Sequence, residues 1–194
     1  MTRPDRTLPP TYFDAVYTAD PDPWKFASSA YERDKYAATL AALPKPRYAS
    51  AFEIGCSIGV LTSELALRCD ALLAVDVALA PLTEARRRCA ALSHVRLEQT
   101  FVPEQWPNAV FDLILLSEVV YYLCAADVAR LAAQVTRSLV FEGDVALVHW
   151  TGETDYPLTG DEAAELFIES LDQTVCVTRR ERRDGFRLDV MRRR

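Results

Sequence analysis

Long apolar runs, histidine and paired cysteine spacings are what this chain lacks. No apolar stretch approaches the ~20 residues of a transmembrane helix, and the opening MTRPDRTLPPTYFD has none of the apolar core of a signal peptide. A chain with no membrane partner is therefore expected. The two histidines, His94 and His149, lie too far apart to form a ligand set, so no metal is expected. The five cysteines, Cys56, Cys69, Cys89, Cys124 and Cys176, are odd in number and never spaced CxxC. That excludes a zinc framework or disulfide scaffold and suits a reduced, cytoplasmic protein. Internal repeats and low-complexity stretches are absent too.

What is present is 194 residues, enough for one well-buried domain, with a net charge of −6. That sign disfavours a nucleic acid as the main partner. The local exception is 178–194, which holds eight arginines against three acids. With no aromatics suited to base stacking interleaved, these arginines read as the solvated face and edge of terminal strands, where charge discourages aggregation.

The pattern divides the chain into an N-terminal arm and lid helix over 1–47 and a ligand-binding domain over 48–194. In the arm, residues 1–22 are rich in proline, aspartate and threonine and are anchored by Tyr12, Phe13 and Tyr17. Residues 28–43 begin with serine caps and run at helical spacing until PKPRY stops them. A strand and helix rhythm follows: strand 51–55, helix 60–69, strand 71–77, helix 81–92, strand 94–100, strand 110–118, helix 125–139, strand 144–150. Such alternation predicts an α/β fold with a doubly wound, mostly parallel sheet and helices on both faces. The C-terminus departs from it, with two strands joined by the tight turn Asp184-Gly185, an antiparallel hairpin that brings the sheet to seven strands.

The most informative stretch is EIGCSIG at 53–59. Gly55 lets the chain turn sharply off a strand, and Gly59 lets the next helix pack closely. A dinucleotide site would read G-x-G-x-x-G with a diphosphate on the helix N-terminus. Here the spacing is G-x-S-x-G, and a ligand-free turn would look much the same. Glu53 and Asp76 add discrimination. Glu53 points a carboxylate toward the turn, repulsive to a diphosphate and attractive to a cation. Asp76 ends the second strand, where an acid accepts both ribose hydroxyls. Together they suit a positively charged nucleoside, and S-adenosylmethionine, with its sulfonium and ammonium, is one.

EIGCSIG, AVDV, FDLILLSEVVYYL and SLVFEGDVALVHW, in that order, resemble the motifs of the Rossmann-like S-adenosylmethionine methyltransferases, and the terminal hairpin resembles that family's reversed last strand. The stretch DPWKFASSAYERDKYAATL further resembles the nodulation protein S group, N-methyltransferases acting on the amino sugar of a chitooligosaccharide. The resemblance implies that Gly55, Cys56, Ser57 and Gly59 line the methionine and ribose side of the cofactor, with S-adenosylhomocysteine as product. It implies Glu53 near the ammonium, Asp76 on the ribose and Val77 beside the adenine. Ser117 and Glu118 fall at the carboxyl edge of the fourth strand. Thr100 and Phe101 stand where the family often has an adenine-contacting acid, and Ser57 replaces the middle glycine. Trp24, Tyr31 and Lys35 would belong to the lid, Trp24 closing the pocket and Lys35 pairing with the cofactor's carboxylate.

For catalysis, a sugar amine needs to lose only one proton. His149, at the end of the fifth strand, is the expected base, Glu118 the second candidate, and Tyr121 and Tyr122 substrate-positioning groups. Three other readings stay open: a methyltransferase for another small N or O acceptor, a nicotinamide-dependent Rossmann oxidoreductase, and a non-catalytic interaction module. A base-methylating enzyme is disfavoured, because SEVVYY stands where an Asp/Asn-Pro-Pro-aromatic motif belongs.

Overall fold

The computed structural model describes residues 3–194. Its centre is a seven-stranded sheet in the order β3-β2-β1-β4-β5-β7-β6. The strands are β1 (Ala51–Ile54), β2 (Leu72–Asp76), β3 (Val95–Gln99), β4 (Phe111–Ser117), β5 (Leu139–Trp150), β6 (Val175–Arg183) and β7 (Phe186–Arg193). The first five run parallel, and β7 is antiparallel to both β5 and β6. The mostly parallel α/β sheet with a reversed C-terminal strand is thus the one expected from the alternation.

Burial explains the sequence of the central strands. β4 reads FDLILLS, a nearly continuous apolar run, because a central parallel strand is covered on both faces. Its alternation splits the core: Ile114 and Leu116 join one cluster, Leu113 and Leu115 the opposite one. On the first face lie α5 (Ala125–Ser138) and α6 (Gly160–Ser170); against the second pack α2 (Ala30–Ala42) and α3 (Val60–Leu65), while α4 (Leu79–Arg88) flanks β2 and β3. Among the described residues, no helix is long and apolar enough to cross a membrane.

The structure adds to the sequence reading in three places. α1 (Pro10–Ala19) occupies the arm, its first turn holding Pro10 and its buried face carrying Phe13 and Tyr17. α6 begins at a full capping box, in which Thr159 accepts from the Glu162 N–H while Glu162 accepts from the Thr159 N–H. β5 starts earlier than expected, at Leu139, with an irregularity against β4 that includes Glu142 at φ 57°.

The terminal arginines sit on β7 and the edge strand β6, and acids meet most of them. Arg179 and Arg183 pair with Glu181, Arg182 with Asp161, Arg180 with Glu165, and Arg192 with Asp144. Arg187 is buried between Asp189 and Glu165. The exposed pairs among these, those of Arg179, Arg180, Arg182 and Arg183, contribute at most about 1 kcal/mol each; their clearer effect is to keep the edge strand charged.

β1 and β4 are neighbours, yet the chain leaves β1 toward β2 and β3 and returns through β4 on the other side. That reversal opens a crevice at the carboxyl ends of these strands, where open α/β sheets bind ligands.

Candidate active site

A cavity of about 330 Å³ occupies this crevice. Its floor is made by the ends of β1, β2 and β4, and its roof by α1, α2 and the segment between them. Fifteen of the residues singled out from the sequence line it: Trp24, Tyr31, Lys35, Glu53, Gly55, Cys56, Ser57, Asp76, Val77, Thr100, Phe101, Ser117, Glu118, Tyr121 and Tyr122. Gly59 and His149 do not.

The turn after β1 is built on backbone that favours glycine. Gly55 has φ 85°, and a Cβ there would lie 2.4 Å from Val119 Cγ2 and 3.0 Å from the Ser117 carbonyl. Gly59 has φ 78°, and its Cβ would meet Ala85 Cα at 2.9 Å. Gly59 therefore serves the packing of α3 on α4 and is a step removed from the cavity lining. Between them, Ser57 is itself left-handed at φ 47°, and the carboxylate of Asp76 holds it there by accepting its N–H at 2.9 Å. The other Asp76 oxygen accepts the Ala78 N–H at 2.9 Å. One acid thus ties together the two loops that frame the cavity. Burial pushes its carboxyl up to about 6, against the pull of these backbone donors.

Glu53 is a charge-bearing residue in an otherwise apolar strand, 1% exposed, and its Oε2 has no hydrogen-bond partner. Burial pushes this carboxyl up to about 7, with Thr62 beside it acting the other way and Asp76 adding to the rise. A buried carboxylate oxygen with nothing to accept from is expensive unless a cation or donor completes it. The Glu53 proton bound in the folded state therefore stabilises below the ordinary carboxylate pKa, and this contribution is lost as pH rises through about 7. Glu53→Gln, which does not titrate, is expected to gain up to about 3 kcal/mol on the wild type between pH 5 and pH 8. Denaturant unfolding of the ligand-free proteins at the two pH values checks this; parallel curves would refute it.

Beyond Glu53 and toward the end of β4, the roof and floor are joined by charge. Lys35 is 2% exposed, and its Nζ donates to Glu32 at 3.0 Å and to Glu118 at 2.5 Å. The two carboxylates keep its ammonium charged despite burial. Lys35 therefore spends two of its three ammonium donors on protein partners, the counter-charge that a buried ammonium requires, and the expected pairing with a ligand's carboxylate has only the third to use. Glu118, in left-handed backbone at φ 59°, is also fully engaged. It accepts from Lys35, from the Tyr121 hydroxyl at 2.8 Å and from the Trp150 N–H at 2.8 Å, and its carboxyl is held below the usual range despite its burial. An acid so saturated is a poor proton acceptor, so Glu118 acts as an anchor in place of the base considered from sequence.

His149 also departs from expectation. It is buried behind the wall, where its Nε2 accepts the Val120 N–H at 3.0 Å, and burial drives its imidazole down to about 4. A neutral ring spent on holding the Val120–Tyr122 turn is not placed to act as the general base. It positions Tyr121, which stacks edge-on against it at 5.0 Å.

The roof is aromatic. Tyr17 packs edge-on against Trp24, Trp24 stacks on Phe26, and the Tyr17 hydroxyl meets Ser57 Oγ at 2.5 Å. Tyr31 donates to the Gly185 carbonyl at 2.9 Å, tying α2 to the terminal hairpin. Residues that the sequence reading missed include Phe26, Tyr36, Trp150 and Tyr156. The signal for Trp150 was its place beside His149, since neighbours on a strand face opposite sides. For Tyr156, in the segment before α6, no pattern marks it. Cys56 lines the cavity but is buried against Ala74 and Leu82, and burial pushes its thiol up, leaving it unreactive.

A sheet ending in a reversed strand, a glycine-bearing turn after β1 and an acid at the tip of β2 define a class: the fold is that of the Rossmann-like S-adenosylmethionine-dependent methyltransferases. The family model described as Nodulation protein S matches residues 16–148. This chain belongs to the Nodulation protein S family. It is 36% identical over 120 residues to Nodulation protein S of Bradyrhizobium diazoefficiens, covering 61% of this chain and 56% of that protein. With the Rhizobium tropici protein it shares 33% over 115 residues, covering 59% and 48%. The chain thus spans about half the length of these relatives. A crystal structure from Pseudomonas syringae, carrying a provisional methyltransferase description, is 37% identical with a TM-score of 0.74, covering 85% of this chain and all of that one. N-methyltransferase NodS of Bradyrhizobium japonicum, solved with S-adenosylhomocysteine, has the same fold, with 21% identity, a TM-score of 0.83 and coverage of 95% and 98%.

Proposed function

We propose that this chain is a cytoplasmic S-adenosylmethionine-dependent methyltransferase whose acceptor is a small molecule, preferably the amino-sugar nitrogen of a chitooligosaccharide. The observation that carries the reading is the charge of the cavity. Its lining holds Glu32, Glu53, Asp76 and Glu118 against a single cation, Lys35, among the described residues. A dinucleotide's diphosphate would meet net negative charge with no free donor cation, whereas a sulfonium and an ammonium are attracted. This disfavours the nicotinamide-dependent alternative.

The residues fit the cofactor. Glu53, with its unpaired buried oxygen, would accept from the ammonium. Asp76 retains lone pairs for the ribose hydroxyls beyond the two backbone donors it already serves. Gly55, Cys56 and Ser57 would line its methionine and ribose side, Val77 would flank the adenine, and Thr100, Phe101 and Ser117 would complete the walls. When bound, S-adenosylmethionine supplies an electrophilic methyl group on a cationic sulfur. Trp24, Tyr17 and Phe26 would exclude water from that end. At the acceptor end, Glu118 fixes the Tyr121 hydroxyl and the Trp150 backbone, and Tyr121, Tyr122 and Tyr156 form an aromatic wall with ring centroids 4.6 to 5.2 Å apart. Such a surface suits the apolar face of a sugar ring. The family match to Nodulation protein S and the fold shared with N-methyltransferase NodS support a nitrogen acceptor.

Incubation with S-adenosylmethionine labelled in its methyl group tests the reading. Label is expected to pass to a de-N-acetylated chitooligosaccharide and not to its fully N-acetylated counterpart. Label on neither, in a protein that binds the cofactor, would move the assignment to another acceptor; no cofactor binding would leave the non-catalytic module.

A further inference from the structure

Glu32, in the first turn of α2, is buried at 6% exposure and faces the cavity. Its Oε1 accepts from Lys35 Nζ at 3.0 Å. Its Oε2 lies 3.0 Å from the same nitrogen without a hydrogen bond, and the Tyr36 hydroxyl is beside the carboxylate. Burial raises this carboxyl even though Lys35 pulls it down. The groups that face it are Lys35, Tyr31 and Tyr36 from α2 and Glu118 from just beyond β4. Glu32, Lys35 and Glu118 together set two acids against one cation in the cavity wall.

We propose that Glu32 is the carboxylate that receives the acceptor, and that the acceptor group arrives as an aliphatic ammonium. This rests on the methyltransferase reading above. The other acids have other roles: Glu118 holds three donors, Asp76 ties two backbone N–H groups and is assigned to the ribose hydroxyls, and Glu53 faces the turn after β1 beside Thr62. One N–H bond of the ammonium breaks, its proton forms an O–H bond at Glu32 Oε2, and its electron pair stays on nitrogen as the nucleophile. Nothing is oxidised or reduced. Lys35, itself anchored by Glu118, holds the carboxylate in place through its bond to Glu32 Oε1.

Calorimetric titration of the full chain with glucosamine and N-acetylglucosamine, each with and without saturating S-adenosylhomocysteine, tests this. The wild type is expected to bind glucosamine at least ~10-fold more tightly than the amide, since only the amine brings a cation to a desolvated carboxylate. Glu32→Gln keeps the Lys35–Glu118 pair and should fold, hold S-adenosylhomocysteine within ~2-fold and lose the preference for the amine. Glu32→Asp should retain part of it. No preference in the wild type, or an undiminished one in Glu32→Gln, would overturn the proposal. Loss of S-adenosylhomocysteine affinity in Glu32→Gln would also overturn it, placing Glu32 on the cofactor side. Failure of S-adenosylhomocysteine to bind the wild type would count against the methyltransferase reading, while the amine preference is still read from the titrations without it.

Discussion

Replacing Asp76 with alanine is expected to weaken S-adenosylmethionine binding at least ~100-fold, because charge-assisted hydrogen bonds of about 1.5–3 kcal/mol each are lost to the ribose hydroxyls. The same change frees the Ser57 and Ala78 N–H groups, so the left-handed Ser57 loses the acceptor that holds it. Asp76→Asn separates the two effects. Its carbonyl oxygen can still accept one backbone N–H, so it should fold better than the alanine variant and bind with intermediate affinity. Comparing calorimetric affinities with unfolding midpoints for the three proteins measures both. Affinity within threefold of the wild type in a folded Asp76→Ala protein would remove Asp76 from the cofactor site.

Replacing Lys35 with methionine is expected to cost about 3–5 kcal/mol of stability, the range for removing one partner of a buried ion pair. Methionine preserves much of the aliphatic stem, so the loss reports the charge. Glu32 and Glu118 would then face each other across the cavity wall with no cation between them, and one would have to take up a proton. The double variant Lys35→Met/Glu32→Gln removes one of the stranded charges and should recover much of the loss. Denaturant unfolding of the single and double variants near neutral pH gives the coupling. A loss below about 1 kcal/mol in the single variant would mean that water reaches the cluster and screens it.

Where hydrophobic period and glycine spacing carry the information, the sequence was readable. The buried run of β4, the turn at Gly55 and the acid ending β2 each announce a local constraint, and that constraint also builds the crevice. The hairpin at Asp184-Gly185 was readable for the same reason, since Gly185 adopts φ 81°. What escaped depends on direction or on partners distant along the chain. His149 ends a strand at the right edge, but its ring faces the turn at Val120 while Trp150, one residue on, faces the cavity. Lys35 showed its helical spacing, but its partner Glu118 lies 83 residues away. α1 was hidden by prolines that look like a linker and in fact begin a helix, with Phe13 and Tyr17 one turn apart as its buried face. α6 carried its capping signature in Thr159 and Glu162, but it follows a segment with no regular period.

The crevice is expected to accept a cationic adenosyl ligand and to refuse a diphosphate. Calorimetric titration of the wild-type chain with S-adenosylmethionine, S-adenosylhomocysteine and NADH measures it directly. Binding of both adenosyl ligands at about micromolar dissociation constants, near −8 kcal/mol, with none for NADH, is the result the charge of the cavity predicts. Binding of NADH in preference to the adenosyl ligands, or of none of the three, would contradict it.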